Sequence, residues 1–263
     1  MKTKVVTSFN TRLWEKYAKT CITTWVDHLK LDEGSVVEVW INGPFPEGLP
    51  KQTKSGTPFQ YKLLDTQSEG WQYFYATWSQ HPKPETRPGQ EFKFNFIPFS
   101  CKVYALAEAA WGVKNIQNKT PDFDTFLWLD ADVSMTKDVT SSFLASIIDN
   151  CHLAWLDRGE PWRHGETGFI LTRTEGSLLD IFLNQANMWG SGQLFFMSEW
   201  HDAFTFSSLV SLKEFTDQQN YIVKNLNIDM ESQSEQGLYP FKTSILAPYF
   251  EHYKGGLKEG LNK

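Results

Sequence analysis

The chain has 263 residues, of which 41% are hydrophobic and 21% are charged, so it is long enough to bury a core and has an ordinary globular composition. Its net charge of −6, without a run of Lys and Arg, argues against a nucleic-acid-binding surface. The sequence contains no run of about 18 apolar residues for a membrane span and no apolar signal segment near its start. Its three cysteines form no CxxC pair and suit a reducing compartment, so we expect a cytoplasmic protein.

The first half of the chain reads as an ordered α/β unit. Strands are predicted at Lys4–Phe9 and Ser35–Asn42, with an amphipathic helix over 12–29 between them. A strand–helix–strand opening of this length predicts a parallel sheet with a right-handed crossover. Residues 44–99 are rich in Pro, Gly and Lys and predict loops with short helical pieces, whereas Phe99–Trp111 predicts a helix.

The next apolar segment, "TFLWL" at 125–129, predicts a buried strand that ends in two acidic residues, Asp130 and Asp132. Carboxylates are costly to bury unless they are paired or hold a metal. A bend at Ala131 would let both converge on one cation, at the carboxyl end of a strand where ligands of open α/β sheets bind. Hard oxygen ligands favour Mg²⁺ or Mn²⁺. A D-x-D pair alone is also compatible with a chance turn.

The second half predicts a mixed α/β unit. Strands are expected in "CHLAWL" and "TGFILTRT", and helices in "DVTSSFLASIID", in "EGSLLDIFLNQANMWGSG" and after Trp200. The end of the chain predicts a strand and then the Gly- and Lys-rich "HYKGGLK", which places His252 before Lys254, Gly255 and Lys258. An imidazole, two ammonium groups and glycines that allow close backbone approach would suit a metal beside a diphosphate.

These segments together resemble the GT-A glycosyltransferases, which depend on a metal and use nucleotide sugars. "TSF" ends the first strand, "LDADV" is similar to their D-x-D motif, and "HYKGGLK" to their C-terminal H-x-x-G-x-x-K. "EWHD" resembles the W-H-D stretch of the α-galactosyltransferase-like members. The resemblance implies one Rossmann-like, three-layer α/β domain with a mainly parallel sheet over 1–263. In it 1–132 would bind the nucleotide, and 133–263 would bind the acceptor and carry the C-terminal tail for the metal and the diphosphate.

The resemblance also implies roles for single residues. Mn²⁺ or Mg²⁺ would be held by Asp130, Asp132 and His252, and Asp130 would also contact the ribose. The nucleotide sugar, expected to be a UDP-hexose, would be held by the residues that follow: Thr7, Ser8, Phe9, Lys102, His201, Lys254, Gly255 and Lys258. The spacing does not choose between the two tail lysines, and the acceptor is unidentified.

Asp202 and Glu166 are the candidate catalytic residues. One of them would accept the acceptor's proton if the reaction inverts the sugar, or stabilise its opposite face if configuration is retained. The pattern is equally compatible with Asp202 as a helix cap and with Glu166 in a solvent-exposed turn. The relatives carry a glutamate directly after W-H-D, where this chain has Ala203, so the stereochemistry stays open.

Two other functions are compatible with parts of the pattern. "DADVS" also resembles the first motif of haloacid-dehalogenase-like phosphatases, with Asp130 as the nucleophile, although that motif normally stands near the start of the chain. Aromatic residues make up 15% of the sequence, including 11 Trp, and they would serve either a bulky core or a non-catalytic sugar-binding protein.

Overall fold

The structure is a computed structural model that describes residues 1–114, 122–158, 164–211, 220–228 and 240–253. Within these ranges the strands β1 to β11 are Thr3–Asn10, Leu29–Lys30, Val36–Asn42, Phe59–Leu63, Thr125–Leu129, Val133–Met135, Val139–Thr140, Leu153–Leu156, Glu166–Arg173, Val223–Asn225 and Phe250–His252. The helices α1 to α7 are Lys19–His28, Leu64–Gln67, Glu69–Trp78, Phe96–Lys114, Ser141–Ile148, Asp180–Gly190 and Asp202–Val210.

A seven-stranded sheet organises the described part of the chain, with the strand order β10-β8-β9-β5-β1-β3-β4. Strand β1 pairs in parallel with β3 and β5, and the pairs β3–β4 and β8–β10 are also parallel. Strand β9 runs antiparallel to both of its neighbours, β5 and β8. Because both halves of the chain contribute neighbouring strands to one sheet, they form a single domain. The predicted mainly parallel sheet is confirmed.

Helices cover both faces of the sheet, because its central strands are apolar on both sides. On one face Val5 and Leu127 belong to the core formed with α1 and α5. On the other face Val6 and Trp128 belong to the core formed with α3, α4, α6 and α7. The result is the predicted three-layer α/β sandwich. The assignment of a nucleotide half and an acceptor half concerns binding and stays a prediction.

Helix α4 runs antiparallel to β1 and β5. Lys4, near the start of β1, donates to the carbonyl oxygen of Ala109 at 3.3 Å. Lys102, in the second turn of α4, reaches Asp130 beyond the end of β5. The first turns of α4 therefore lie at the carboxyl ends of these strands. Among the described helices, none has the combination of length and hydropathy that crossing a bilayer requires.

Two segments differ from their predictions. Phe59–Leu63, inside the stretch predicted to be loops and helical pieces, forms the edge strand β4, whose alternating "FQYKL" is typical of a strand with one covered face. The strand predicted for the end of the chain is confined to Phe250–His252, because Pro240–Thr243 form a 3-10 turn. Both segments are short and lie beside a proline, so they contain too few residues for the hydrophobic periodicity of a strand to be recognised.

Candidate active site

The acidic pair, Asp130 and Asp132, lies in a turn directly after β5. The amide of Val133 donates to the carbonyl oxygen of Asp130 at 3.0 Å, so the chain reverses through Ala131 and enters β6. The chain therefore bends at Ala131, which is the condition for the two carboxylates to converge. This bend keeps both carboxylates at the carboxyl end of a parallel strand, where α/β folds bind their ligands.

Strand β11 brings His252 to this turn. It pairs antiparallel with β6, which places His252 opposite Val133, and the amide of Tyr253 donates to the carbonyl oxygen of Asp132 at 3.0 Å. The Nε2 atom of His252 lies 3.2 Å from Oδ1 of Asp132. Asp130, Asp132 and His252 each offer one ligand atom within 4.8 Å of the others. The structure thus brings together residues of two separate sequence motifs, since His252 follows Asp130 by 122 positions.

The chemistry of these three residues fits a divalent cation. Two carboxylates and one imidazole are ligands that Mn²⁺ accepts while keeping positions for phosphate oxygens. Burial and the nearby Asp132 carboxylate raise the pKa of Asp130, although Lys102 opposes the change. Burial, then Asp132 and Asp130, also raise the pKa of Tyr17, which lies in the π-helical segment Trp14–Ala18 between β1 and α1. A cation would relieve this crowding of negative charge.

Lys102 is the centre of a buried polar network that we call the Lys102 network, formed with Asp130, Thr167 and Asp202. Its Nζ atom donates to Oδ1 of Asp130 at 2.8 Å and to the Thr167 carbonyl oxygen at 2.6 Å, and it lies 3.0 Å from Oδ2 of Asp202. Burial favours the neutral amine, but the two carboxylates together raise the pKa of Lys102. The ammonium group predicted to contact a nucleotide is therefore held between two acidic residues.

Asp202 points into the Lys102 network and does not cap α7. The N-cap of α7 is His201, whose ring accepts a hydrogen bond from the amide of Phe204. Oδ2 of Asp202 instead accepts a hydrogen bond from Oγ1 of Thr167 at 2.7 Å. Burial acts to raise the pKa of Asp202, but Lys102, His201 and Thr167 lower it below its usual range. The carboxylate is thus a fixed negative charge.

Glu166, the first residue of β9, is buried and does not lie in a solvent-exposed turn. Its Oε1 atom accepts a hydrogen bond from the amide of Gly168 at 3.1 Å, and its Oε2 atom lies 3.6 Å from Nη2 of Arg158. These contacts orient the carboxylate toward the same strand segment that carries Thr167.

Gly168 separates Glu166 from His252. A β-carbon at this position would lie 3.0 Å from Cε2 of Phe241, 3.3 Å from Cε1 of His252 and 3.4 Å from Oε1 of Glu166. The Gly168 carbonyl oxygen also accepts a hydrogen bond from the amide of Asp130 at 3.0 Å. Sequence reasoning missed Thr167 and Gly168. A glycine inside a predicted strand, "ETGF", is the signal of close backbone approach that would have found them.

Gly168→Ala is expected to displace the His252 ring and so to weaken the Mn²⁺ binding that the sequence predicts. Overpacking should also lower the free energy of unfolding by about 1–3 kcal/mol. Isothermal titration with Mn²⁺ and urea denaturation measure the two effects. Gly112→Ala in α4 is the control, since its β-carbon would meet only Nζ of Lys4 at 3.8 Å. The Gly112→Ala variant should gain about 0.5–1 kcal/mol in the free energy of unfolding from helix propensity. Equal Mn²⁺ affinities in the two variants would contradict the role of Gly168.

A second polar cluster lies at the start of α7. His201 accepts the amide hydrogen of Phe204 at Nδ1 (3.3 Å), so its Nε2 atom carries a proton that it donates to Oε2 of Glu199 at 2.8 Å. Lys93 lies 2.6 Å from the other carboxylate oxygen, and Nδ1 of His164 lies 3.7 Å from Oε2. The hydrogen bond from His201 lowers the pKa of Glu199 to about 2.

The atoms of His164, Glu199 and His201 are close enough to share a cation. However, the protonated Nε2 atom and the Lys93 ion pair already satisfy the carboxylate, so these contacts favour a hydrogen-bonded support for α7. Burial, with His201 nearby, lowers the pKa of His164 to about 4. The nucleotide-sugar contact predicted for His201 stays a prediction.

Comparison with known proteins bears on the fold. No family model and no curated protein matches the sequence. The galactosyltransferase LgtC, solved in complex with donor and acceptor sugar analogues, has 11% identity and a TM-score of 0.50 over 96% of this chain and 87% of that chain. The chain has a GT-A-type fold.

Two further glycosyltransferases resemble it less closely. Mouse xyloside xylosyltransferase 1 in its apo form has 8% identity and a TM-score of 0.47 over 93% of each chain. A glycosyltransferase involved in the glycosylation of the major capsid of PBCV-1 has 12% identity and a TM-score of 0.45 over the whole of both chains. At such low identities the similarity concerns the fold and does not identify the donor or the acceptor of this chain.

In this GT-A-type fold, the residues predicted to hold the base lie at the carboxyl end of β1. Thr7 is fully buried, and its Oγ1 atom makes no hydrogen bond within the described ranges. Ser8 is half-buried. Phe9 is buried and stacks on Trp14 with ring centroids 5.4 Å apart, so one face of its ring is covered. The base contacts of all three residues stay predictions.

The predicted diphosphate contacts Lys254, Gly255 and Lys258 lie outside the described residues. Strand β11, near the end of the described chain, borders a cavity of about 250 Å³ that is lined by His252 and also by Phe241, Lys242 and Glu251. Because His252 lines this cavity, the cavity borders the cluster formed by Asp130, Asp132 and His252.

Proposed function

We propose that the chain is a metal-dependent hexosyltransferase that moves a hexose from a nucleotide diphosphate sugar, UDP-linked, to an acceptor hydroxyl. The observation that carries the proposal is the convergence of Asp130, Asp132 and His252 at the carboxyl end of β5. The fold supports it, because LgtC, which shares the architecture, was solved with donor and acceptor sugar analogues.

The metal proposal assigns Mn²⁺, or Mg²⁺, to Asp130, Asp132 and His252. Such a cation, when bound, stabilises the negative charge that collects on the leaving diphosphate. The chain's own residues orient its ligands. Oδ1 of Asp130 accepts hydrogen bonds from Lys102 and from the indole nitrogen of Trp128 at 2.6 Å, so the carboxylate is fixed before any ligand arrives.

Asp202 suits an electrostatic role better than that of a general base. A base works best with a pKa near the operating pH, whereas the pKa of Asp202 lies below its ordinary value. We propose that its charge faces the donor sugar and stabilises positive charge in the transition state. Glu166, held by Gly168 and Arg158, would position the β9 segment beside that sugar.

The tail is proposed to complete the diphosphate site. Lys254 follows the metal ligand His252 by two residues and Lys258 by six, so either ammonium group would lie within reach of oxygens bound to the same cation. Gly255 would allow close approach of the backbone.

A thermal-shift screen of nucleotide sugars with and without Mn²⁺ tests this function. A ligand present at about 100 times its Kd should raise the melting temperature by roughly 5–10 °C. We expect that shift for a UDP-hexose only when Mn²⁺ is also present, and we expect His252→Ala to lose it.

Three outcomes would count against the proposal. A melting-temperature shift that survives chelation would contradict the metal requirement. The absence of any shift with every nucleotide sugar would contradict the proposed class of donor. Turnover that releases inorganic phosphate from a phosphoester, with no UDP from UDP-hexose, would support the phosphatase alternative instead.

A further inference from the structure

A groove of about 880 Å³ lies between α3, α4 and α6, on the sheet face that carries Val6 and Trp128, and we call it the helical groove. It is separate from the Lys102 network. Trp111, on its wall, follows Lys102 by nine residues in α4, which is about 13 Å along a helix axis. Because α4 runs antiparallel to the strands, the groove extends away from their carboxyl ends. Its volume is within the range of small-ligand sites.

Two large aromatic rings are exposed in the helical groove. Tyr73 of α3 is 62% exposed and Trp111 of α4 is 52% exposed, although most Trp residues of the described chain are buried. Rings that present an apolar face and a polar edge to solvent are typical of ligand-binding surfaces. They come from different helices, so they offer two separate platforms to one extended ligand.

Two glycines let the helices that border the groove pack closely on Tyr104. A β-carbon at Gly70 would lie 3.2 Å from the ring of Tyr104, and one at Gly190 would lie 3.3 Å from the Tyr104 hydroxyl oxygen. With glycine at both positions, α3 and α6 pack closely on Tyr104, which is buried beneath the groove.

The polar lining is acidic and rich in hydrogen-bonding groups. Glu69, Glu108 and Asn187 line the groove, and the described lining includes no lysine or arginine. Oε1 of Glu108 accepts a hydrogen bond from the buried Ser68 hydroxyl at 2.7 Å, which fixes that carboxylate. Carboxylates and amides bind hydroxyl groups well, and uncompensated negative charge repels anions.

We propose that the helical groove binds a neutral oligosaccharide, with sugar rings stacked on Tyr73 and Trp111 and hydroxyl groups bonded to Glu69, Glu108 and Asn187. A nucleotide or an acidic glycan is disfavoured by the charge, and an entirely apolar partner would cover the carboxylates of Glu69 and Glu108 without binding them. This binding site is separate from the proposed donor site, and its test uses no transfer reaction.

The test is binding of four neutral hexasaccharides, cellohexaose, maltohexaose, xylohexaose and mannohexaose, measured by tryptophan fluorescence and saturation-transfer NMR. At least one should bind with a Kd below about 1 mM. Trp111→Ala and Tyr73→Ala should each weaken that binding roughly tenfold. The matched control is Phe196→Ala, which removes a 92% exposed ring outside the groove and should leave the Kd within about twofold.

Several results would overturn the inference. They are no binding of any of the four sugars at about 10 mM, equal binding by the Trp111→Ala/Tyr73→Ala double variant, or stronger binding of hexagalacturonate. Self-association of the wild type that Trp111→Ala abolishes would make the groove an interface between copies. The double variant should keep the Mn²⁺-dependent shift with UDP-hexose, so failure of the donor site and failure of this groove are distinguishable.

Discussion

Asp132→Ala is expected to abolish metal-stimulated hydrolysis of a UDP-hexose while leaving the fold intact. Asp132 offers its carboxylate beside His252 and Asp130, and the loss of one metal ligand should lower the rate about 1,000-fold or more. The fold should tolerate the change because the side chain lies in a turn and its removal relieves repulsion with Asp130. UDP release against Mn²⁺ concentration measures the activity, and near-ultraviolet circular dichroism checks the packing.

Asp65→Ala is the matched control, because it removes an exposed carboxylate from the start of α2. Its Mn²⁺-stimulated rate should stay within about twofold of the wild type. An Asp132→Ala protein that hydrolyses the donor as well as the Asp65→Ala protein would remove the metal role from the acidic pair.

Lys102→Met is expected to lower the free energy of unfolding at pH 8 by about 3–5 kcal/mol, since it leaves the buried Asp202 and the half-buried Asp130 without their ammonium partner. The pH dependence follows from the direction of the pKa change. In the wild type the pKa of Asp202 is lowered, so its stabilising contribution is present above the ordinary carboxyl value of about 4 and is lost as the pH falls through the lowered value.

In Lys102→Met the sign reverses. Buried carboxylates without a cation have raised pKa values, so the variant regains stability as the pH falls toward those values. Urea denaturation at pH 8 and pH 5 should show a smaller difference from wild type at pH 5. Lys102→Met/Asp202→Asn should recover part of the loss at pH 8. A deficit that is the same at both pH values would contradict the charge argument and leave only lost packing.

Much of the fold was predictable because its main elements have a clear period and length. Strand Thr125–Leu129 is an apolar run, Thr3–Asn10 is rich in β-branched residues, and Phe96–Lys114 is rich in helix-forming residues. Edge strand β4 was not recognised, because five alternating residues between proline and glycine segments resemble a loop. Local patterns fail where the neighbouring strand supplies most of the stabilisation.

The part of the site that could be predicted consists of residues whose type alone indicates metal binding. Asp130, Asp132 and His252 are unusual where they occur, and the antiparallel pairing of β6 with β11 brings them together. The partners of Lys102 depend instead on how α4 lies over β5 and β9, which no local pattern encodes. Gly168 and Tyr17 were missed for the same reason, since their proximity to the acidic pair is set by tertiary packing.

The most direct test of the central claim is pulsed electron paramagnetic resonance of Mn²⁺ bound to chain labelled with ¹⁵N-histidine. The account predicts hyperfine coupling from one imidazole nitrogen, lost in His252→Ala and retained in His164→Ala, whose ring belongs to the cluster at the start of α7. Bound Mn²⁺ without nitrogen coupling, or coupling that persists in His252→Ala, would contradict a cation shared by the acidic pair and His252.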